Sequence, residues 1–275
     1  RLIILSMGKT IGIIAIKGGV GKTTISASLA SSLANYFDKR VLLVDANFSA
    51  PNLGLHMDIL EPEKTIHHVL DKKVGANTAI HERFGVDVIP GDYVYNKKIN
   101  YLRLKDKLQP LKNKYDFIIL DSSPSQNEEL LSTLIASDSL FAITTPDYPT
   151  LSCTLKTAKL AKQRGKSVSG IIINKVRDPS YELTLNDIEE STDIPVVARI
   201  PDDKAAIRST FTRIPLSIYN KNSAFSKEII SLSAALAQAN IKRSFLQKLF
   251  RPRLNRQEVN RELLRGSFYE SPFRR

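Results

Sequence analysis

Seven short apolar runs recur along the chain: IGIIAI (11–16), VLLVD (41–45), VDVIP (86–90), DFIILD (116–121), SLFAITT (139–145), SGIIINK (169–175) and IPVVARI (194–200). Several are apolar at nearly every position, as strands covered on both faces must be. Between and after them lie stretches of helical character, over 22–36, 126–136, 150–164, 184–191 and 223–239. This alternation predicts an α/β fold: a doubly wound, mostly parallel sheet of seven or eight strands with helices on both faces. No internal repeat and no long Gly/Ser linker interrupts it. One domain is therefore expected over residues 10–240.

Composition narrows the picture. A hydrophobic fraction of 42% supports a substantial core. The apolar runs are strand-sized, far short of the roughly 20 residues of a membrane-spanning helix. RLIILS at the start lacks the length and cleavage site of a signal peptide. Met7 is the expected native start, with residues 1–9 as an N-terminal extension and a cytoplasmic location. Cys153 is the single cysteine, which excludes an internal disulfide framework and any two-cysteine metal site within one subunit. His67 and His68, in TIHHVL, read as surface helix residues without a ligand cluster around them, and His56 and His81 carry no signal.

The formal charge of +12 is unevenly spread. From Ile241 onward there are ten Lys/Arg against three Asp/Glu. A basic end of this kind points to an anionic surface, lipid or nucleic acid.

IGIIAIKGGVGKTT (11–24) reads as a strand, a glycine-rich loop and the start of a helix. Gly18, Gly19 and Gly21, with Val20 between them, let backbone N–H groups turn inward around phosphate oxygens. Lys22 supplies a point charge for the β/γ phosphates, and the Thr23 hydroxyl can ligate Mg²⁺. Thr24 follows at the helix N-terminus, whose dipole favours anions. The general pattern G-x-x-x-x-G-K-[ST] begins with glycine. Here that position is Ile16, and a second lysine, Lys17, stands in the loop.

This departure resembles the deviant Walker A motif of the ParA/MinD family of P-loop ATPases. The likeness continues through VLLVDANFSAPNLGLHM (41–57), YDFIILDSSPS (115–125), AITTPDYPTLSCTLK (142–156), IIINKVRD (171–178) and ARIPDD (198–203), in order from Thr10 to Ala239. The resemblance implies a P-loop NTPase fold, ATP or ADP and Mg²⁺ as cofactors, and an ATP-dependent homodimer. It implies that Lys22 serves the subunit's own nucleotide and that Lys17 reaches across the dimer to the partner's phosphates. Asp45, Asp121 and Thr23 would surround the Mg²⁺, with Asp121 acting through water, and Asp147 would pair with a loop lysine. Asn174 would read the adenine edge, and the backbone around Pro201, Asp202 and Asp203 would enclose the base.

Two departures from the family pattern matter. Asn47 stands where the family commonly has a second Asp, the carboxylate associated with orienting or activating the attacking water. An amide can position water through its carbonyl but cannot take its proton. Ser123 and Ser125 occupy positions where the family often has Pro and Gly. Intact ATP and Mg²⁺ binding with slow hydrolysis is the expectation, with Lys17, Lys22, Asp45, Asn47 and Asp121 as the catalytic set.

NIKRSFLQKLFRPRLNR (240–256) is the second informative stretch. Ile241, Phe245, Leu246, Leu249 and Phe250 fall on one face of a helix spanning 241–252, with Lys242, Arg243, Lys248 and Arg251 around them and Pro252 as the stop. Such a helix suits the lipid interface, and it resembles the membrane-targeting helix of the MinD branch. Each basic residue near an anionic surface contributes about 1 kcal/mol. Residues 253–275 read as a basic, flexible tail. The whole implies a MinD-like switch, peripheral at the inner face of the cell membrane, with an unidentified activating or cargo protein. The alternatives are a ParA-like DNA- or cargo-partitioning ATPase and a flagellar-number regulator acting as a scaffold. Nucleic acid is the less favoured partner, because the apolar face of 241–252 gains nothing there.

Overall fold

The computed structural model describes residues 7–178, 180–239 and 254–268. Strand β1 (Lys9–Ile14) leads through the glycine loop into α1 (Lys22–Phe37), and the chain returns as β2 (Val41–Ala46). Short helices α2 (Leu53–His56) and α3 (Ile66–Leu70) precede the hairpin of β3 (His81–Arg83) and β4 (Val86–Ile89). Then come α4 (Leu104–Leu108), β5 (Phe117–Ser122), α5 (Glu128–Ala136), β6 (Ser139–Thr144), α6 (Tyr148–Gln163), β7 (Val168–Val176), α7 (Leu185–Thr192) and β8 (Val196–Pro201). Helices α8 (Ala205–Thr212), α9 (Leu216–Tyr219), α10 (Ala224–Leu236) and α11 (Arg256–Ser267) follow.

The strands form one eight-stranded sheet in the order β3-β4-β2-β5-β1-β6-β7-β8. All pairs are parallel except β3–β4. Alternate residues of each central strand face opposite layers, as the period of two requires. Val41, Leu43, Phe117 and Ile119 pack with α1 and α10 on one side, while Leu42, Val44, Ile118 and Leu120 pack with α3 and α4 on the other. A doubly wound P-loop fold is thus realised as the strand and helix pattern predicts. The edge hairpin strand β3 escapes the sequence reading because its three residues, His-Glu-Arg, carry no apolar pattern.

Two expected boundaries are corrected. The extension over residues 1–9 ends inside a strand: Lys9 already pairs with Phe117, and the Gly8 N–H donates to the Lys112 carbonyl at 2.8 Å. The basic tail over 253–275 is not simply flexible, because residues 256–267 form a docked helix. Asn255 and Glu258 close a reciprocal capping box at its start. Leu264 and Phe268 join the main core. Strand β8 is an edge strand whose outer carbonyls need donors. Helix α11 supplies them: Asn260 Nδ2 donates to Val196 O at 2.8 Å and Arg261 Nε to Val197 O at 2.6 Å. Arg256 pairs with Glu189 and Arg261 with Glu228, so part of the tail's positive charge is neutralised within the domain. The amphipathic segment 241–252, with Ile241, Phe245, Leu246, Leu249 and Phe250, lies outside the described residues.

Candidate functional site

The carboxyl ends of β1, β2 and β5 converge on one cavity of about 880 Å³. Strand register sets its chemistry, with Asp121 lying level with both Ile13 and Asp45. The glycine loop forms the floor. Gly19 and Gly21 have φ of 77° and 95°, and Gly21 is the left-handed N-cap of α1. A Cβ at Gly21 would also lie 2.4 Å from Asn174 Nδ2, so the position is closed to other residues twice over. From the end of β7, Asn174 Nδ2 donates to Val20 O and Lys175 Nζ to Gly19 O, both at 2.8 Å. These bonds hold two successive loop carbonyls away from the cavity and leave the N–H side for an anion.

Two buried carboxylates stand beside the loop. Asp45 is fully buried and accepts backbone N–H groups from Asn47 (3.0 Å), Asn52 (3.1 Å) and Leu53 (3.0 Å). It therefore shapes the segment after β2, with both oxygens engaged. Asp121 Oδ1 accepts from the Ser26 hydroxyl at 3.0 Å, whereas its Oδ2 is buried with no hydrogen-bond partner. Burial pushes the Asp45 carboxyl up to about 8, with Asp121 adding to the shift and the three N–H groups opposing it. Burial likewise pushes Asp121 up, against Thr23, Lys22 and Ser26. The Lys22 ammonium is lowered by burial, with Asp121 pulling it back. A pair of buried carboxyls, with one oxygen unpartnered near the Thr23 hydroxyl, fits a hard divalent cation. Asp121 Oδ2 and Thr23 would be its protein ligands, with Asp45 acting through charge and loop geometry.

Other predicted residues fall into three groups. Lys22, Thr23, Thr24, Asn47, Pro201 and Asp202 line the cavity. Asn47 gives its Nδ2 to the Ala50 carbonyl, and its Oδ1 is buried without a partner. Asp202 closes the far wall through Arg177 Nε at 2.7 Å, and its N–H donates to Val176 O at 2.8 Å. Val20 and Asn174 sit beneath the loop as its support, and the Asn174 amide is spent on the loop carbonyl. Lys17 is not among the residues lining the cavity; its ammonium lies 4.0 Å from Asp147, with both side chains 44% exposed. Partial burial opposes ionisation of Asp147, but Thr145, Thr150 and Lys17 outweigh it and hold the carboxyl below its ordinary value.

Sequence reasoning missed several residues here. Asn52 accepts the Thr23 hydroxyl at 3.1 Å, and His56, Lys175, Arg177 and Ile207 line the cavity. Only the N-K pair at 174–175 carried a readable signal. His67, expected at the surface, is 3% exposed.

A strand–glycine loop–helix with a buried lysine, facing strand-end carboxylates at the carboxyl edge of a doubly wound sheet, defines a P-loop nucleotide-binding protein. A family model described as an AAA domain matches residues 8–167, and a second of the same description matches 130–210. The chain is 31% identical over 255 residues to an uncharacterized ATP-binding protein of Methanocaldococcus jannaschii, covering 89% of this chain and 96% of that one. It is 30% identical over 241 residues to the septum site-determining protein MinD of Thermotoga maritima, covering 82% and 87%. The solved structure of MinD from Pyrococcus horikoshii OT3, complexed with Mg-ADP, superposes with a TM-score of 0.78 at 27% identity, covering 84% and 95%. The chain belongs to the ParA/MinD family of P-loop ATPases and is MinD-like.

Proposed function

We propose that this protein is a MinD-like ATPase that works as a nucleotide-dependent, dimerising membrane switch. The observation that carries the reading is the split between two loop lysines. Lys22 is buried at the floor of the cavity, while Lys17 is turned out toward Asp147. A lysine held outside its own site is available to a nucleotide in a second copy of the chain. The nucleotide face also carries the five most exposed large apolar side chains among the described residues: Val94, Tyr148, Tyr181, Ile207 and Phe211, each at least 75% exposed. All five follow the carboxyl ends of β4, β6, β7 or β8. An apolar rim around a polar cavity supports a partner on this face.

In this reading the loop N–H groups and Lys22 bind the phosphates of ATP, and Pro201 and the Arg177–Asp202 pair flank the base. Asp121 and Thr23 would hold Mg²⁺, which when bound neutralises phosphate charge. Asp45 fixes the segment that carries Asn47, and the Asn47 carbonyl orients water without accepting its proton. Hydrolysis is slow on this account. Single-turnover hydrolysis should rise about tenfold in Asn47→Asp, where a carboxylate can also take the proton, and equal rates would remove Asn47 from the explanation.

The dimer then presents two copies of segment 241–252 to the membrane. Two weak anchors on one particle raise avidity by about 10²–10⁴. Flotation with anionic liposomes in ATP, ADP and no nucleotide tests this. ATP-dependent flotation lost in Phe245→Glu supports the switch. DNA binding that survives Phe245→Glu, without flotation, would favour a ParA-like partitioning role. The internal pairing of Arg256 and Arg261 weighs against that role, since paired arginines are poor phosphate donors.

A further inference from the structure

Helix α3 carries a buried histidine that the chemistry above does not use. His67 Nε2 lies 2.8 Å from the Phe48 carbonyl oxygen, and its Nδ1 accepts the Asp92 N–H at 3.0 Å. Only one form of the ring satisfies both neighbours: neutral, with its proton on Nε2. The Phe48 ring stacks on Tyr101 at 4.9 Å and meets His67 edge-on at 6.1 Å, which fixes the imidazole plane.

Phe48 directly follows Asn47. The segment after β2 is therefore pinned at several points: the Asn47, Asn52 and Leu53 N–H groups on Asp45, the Asn47 amide on Ala50, and the Phe48 carbonyl on His67. Asp92 lies in the loop after β4, so the same ring ties that loop to the segment. One atom in this arrangement is left over, the buried and unpartnered Oδ1 of Asn47, a residue that lines the cavity.

We propose that His67 is a positioning residue for hydrolysis: as a neutral Nε2–H donor it holds the Phe48 carbonyl, and through it keeps the Asn47 side-chain oxygen aimed at the attacking water. This rests on the ATPase reading. A proton added at Nδ1 would set one N–H against the Asp92 N–H and break the tie, so the joint is acid-sensitive. Burial keeps the ring below its ordinary pKa and hence neutral near pH 7, with the Phe48 carbonyl, Asp92 and Glu129 pulling upward and His68 downward. The Tyr95 ring completes the surroundings at 5.1 Å.

The test compares full-length wild type, His67→Phe and His67→Gln. ATP affinity, single-turnover hydrolysis between about pH 5 and 8, and amide exchange over residues 45–56 are measured. In His67→Phe, hydrolysis should fall about ten- to a hundredfold while ATP affinity stays within about twofold. Its Asn47, Asn52 and Leu53 amides should exchange faster with those of α1 unchanged, and the acid limb of the wild-type rate profile should vanish. His67→Gln, which can still donate and accept, should recover part of the rate; it carries the comparison if the Phe variant does not fold. Wild-type rates with the acid limb intact, or an affinity loss as large as the rate loss, would overturn the proposal. If the wild type binds ATP without hydrolysing it, the ATPase reading fails, and amide exchange alone decides whether His67 holds the segment.

Discussion

Two buried polar clusters in this protein are built on opposite plans. Under α11, Glu189 and Arg261 find their partners within the domain. Glu189 accepts from the Val196 N–H, Asn260 and Arg256. Arg261 donates to Val197 O, Ser231 and Glu228. At the glycine loop, by contrast, two carboxylates face one another in register, and Asp121 Oδ2 and Asn47 Oδ1 are buried without partners. Unsatisfied buried polar atoms cost stability, and a fold keeps them where a ligand completes the set. The first cluster fastens a chain segment to the domain. The second leaves two buried acceptors open.

The sharpest way to break this contrast is Asp121→Asn. Asn keeps an acceptor for Ser26 but removes one buried charge. Mg²⁺-dependent hydrolysis should fall by about 10²–10³, while the nucleotide-free protein should be no less stable in thermal or urea unfolding. A loss of stability would mean that the pair is already satisfied without a ligand. On the other side, Arg261→Met should cost about 3 kcal/mol in urea unfolding, because it takes the charged partner from Glu228, leaving only the Gln257 amide on it, and the side-chain donor from the Val197 carbonyl. Nucleotide affinity should hold within about twofold, as expected for a distant and independent site.

A smaller and more graded effect lies in pH. The folded Asp45 carboxyl holds its proton up to about pH 8, whereas the unfolded one releases it near its ordinary value of 3.8. Folding thus takes up a proton across that window, and stability of the nucleotide-free protein should fall progressively as pH rises through it. Saturating Mg-ATP should flatten the profile by replacing the proton with a cation. An equally steep profile with Mg-ATP would place the titrating group elsewhere.

Much of this was legible in the sequence, and the exceptions have physical causes. The buried strands announce themselves because covered faces admit only apolar residues. Lys22 could be placed because the loop spacing fixes it locally, and Asp45 and Asp121 because the segments that carry them resemble the family's motifs. His67 could not, since its burial depends on Phe48 and Asp92, which are distant in sequence. The resemblance sets Asn174 at the base; in the fold its amide nitrogen donates to Val20 O, a contact set by how close β7 brings it to Gly21. Helix α11 left a readable signal in the Asn255–Glu258 capping box, overlooked because the arginines around it resembled a solvated tail. Their acidic partners lie on α7 and α10, far back along the chain.

The central claim is that Lys22 serves its own nucleotide and Lys17 its neighbour's. Mixing two variants tests it most directly. Lys17→Ala retains a complete site but offers no lysine in trans; Asp121→Asn lacks a working site but retains Lys17. Each should hydrolyse ATP poorly alone. The equimolar mixture should regain activity, because heterodimers bring Lys17 of one chain to the intact site of the other. A mixture no more active than the separate variants would contradict the account.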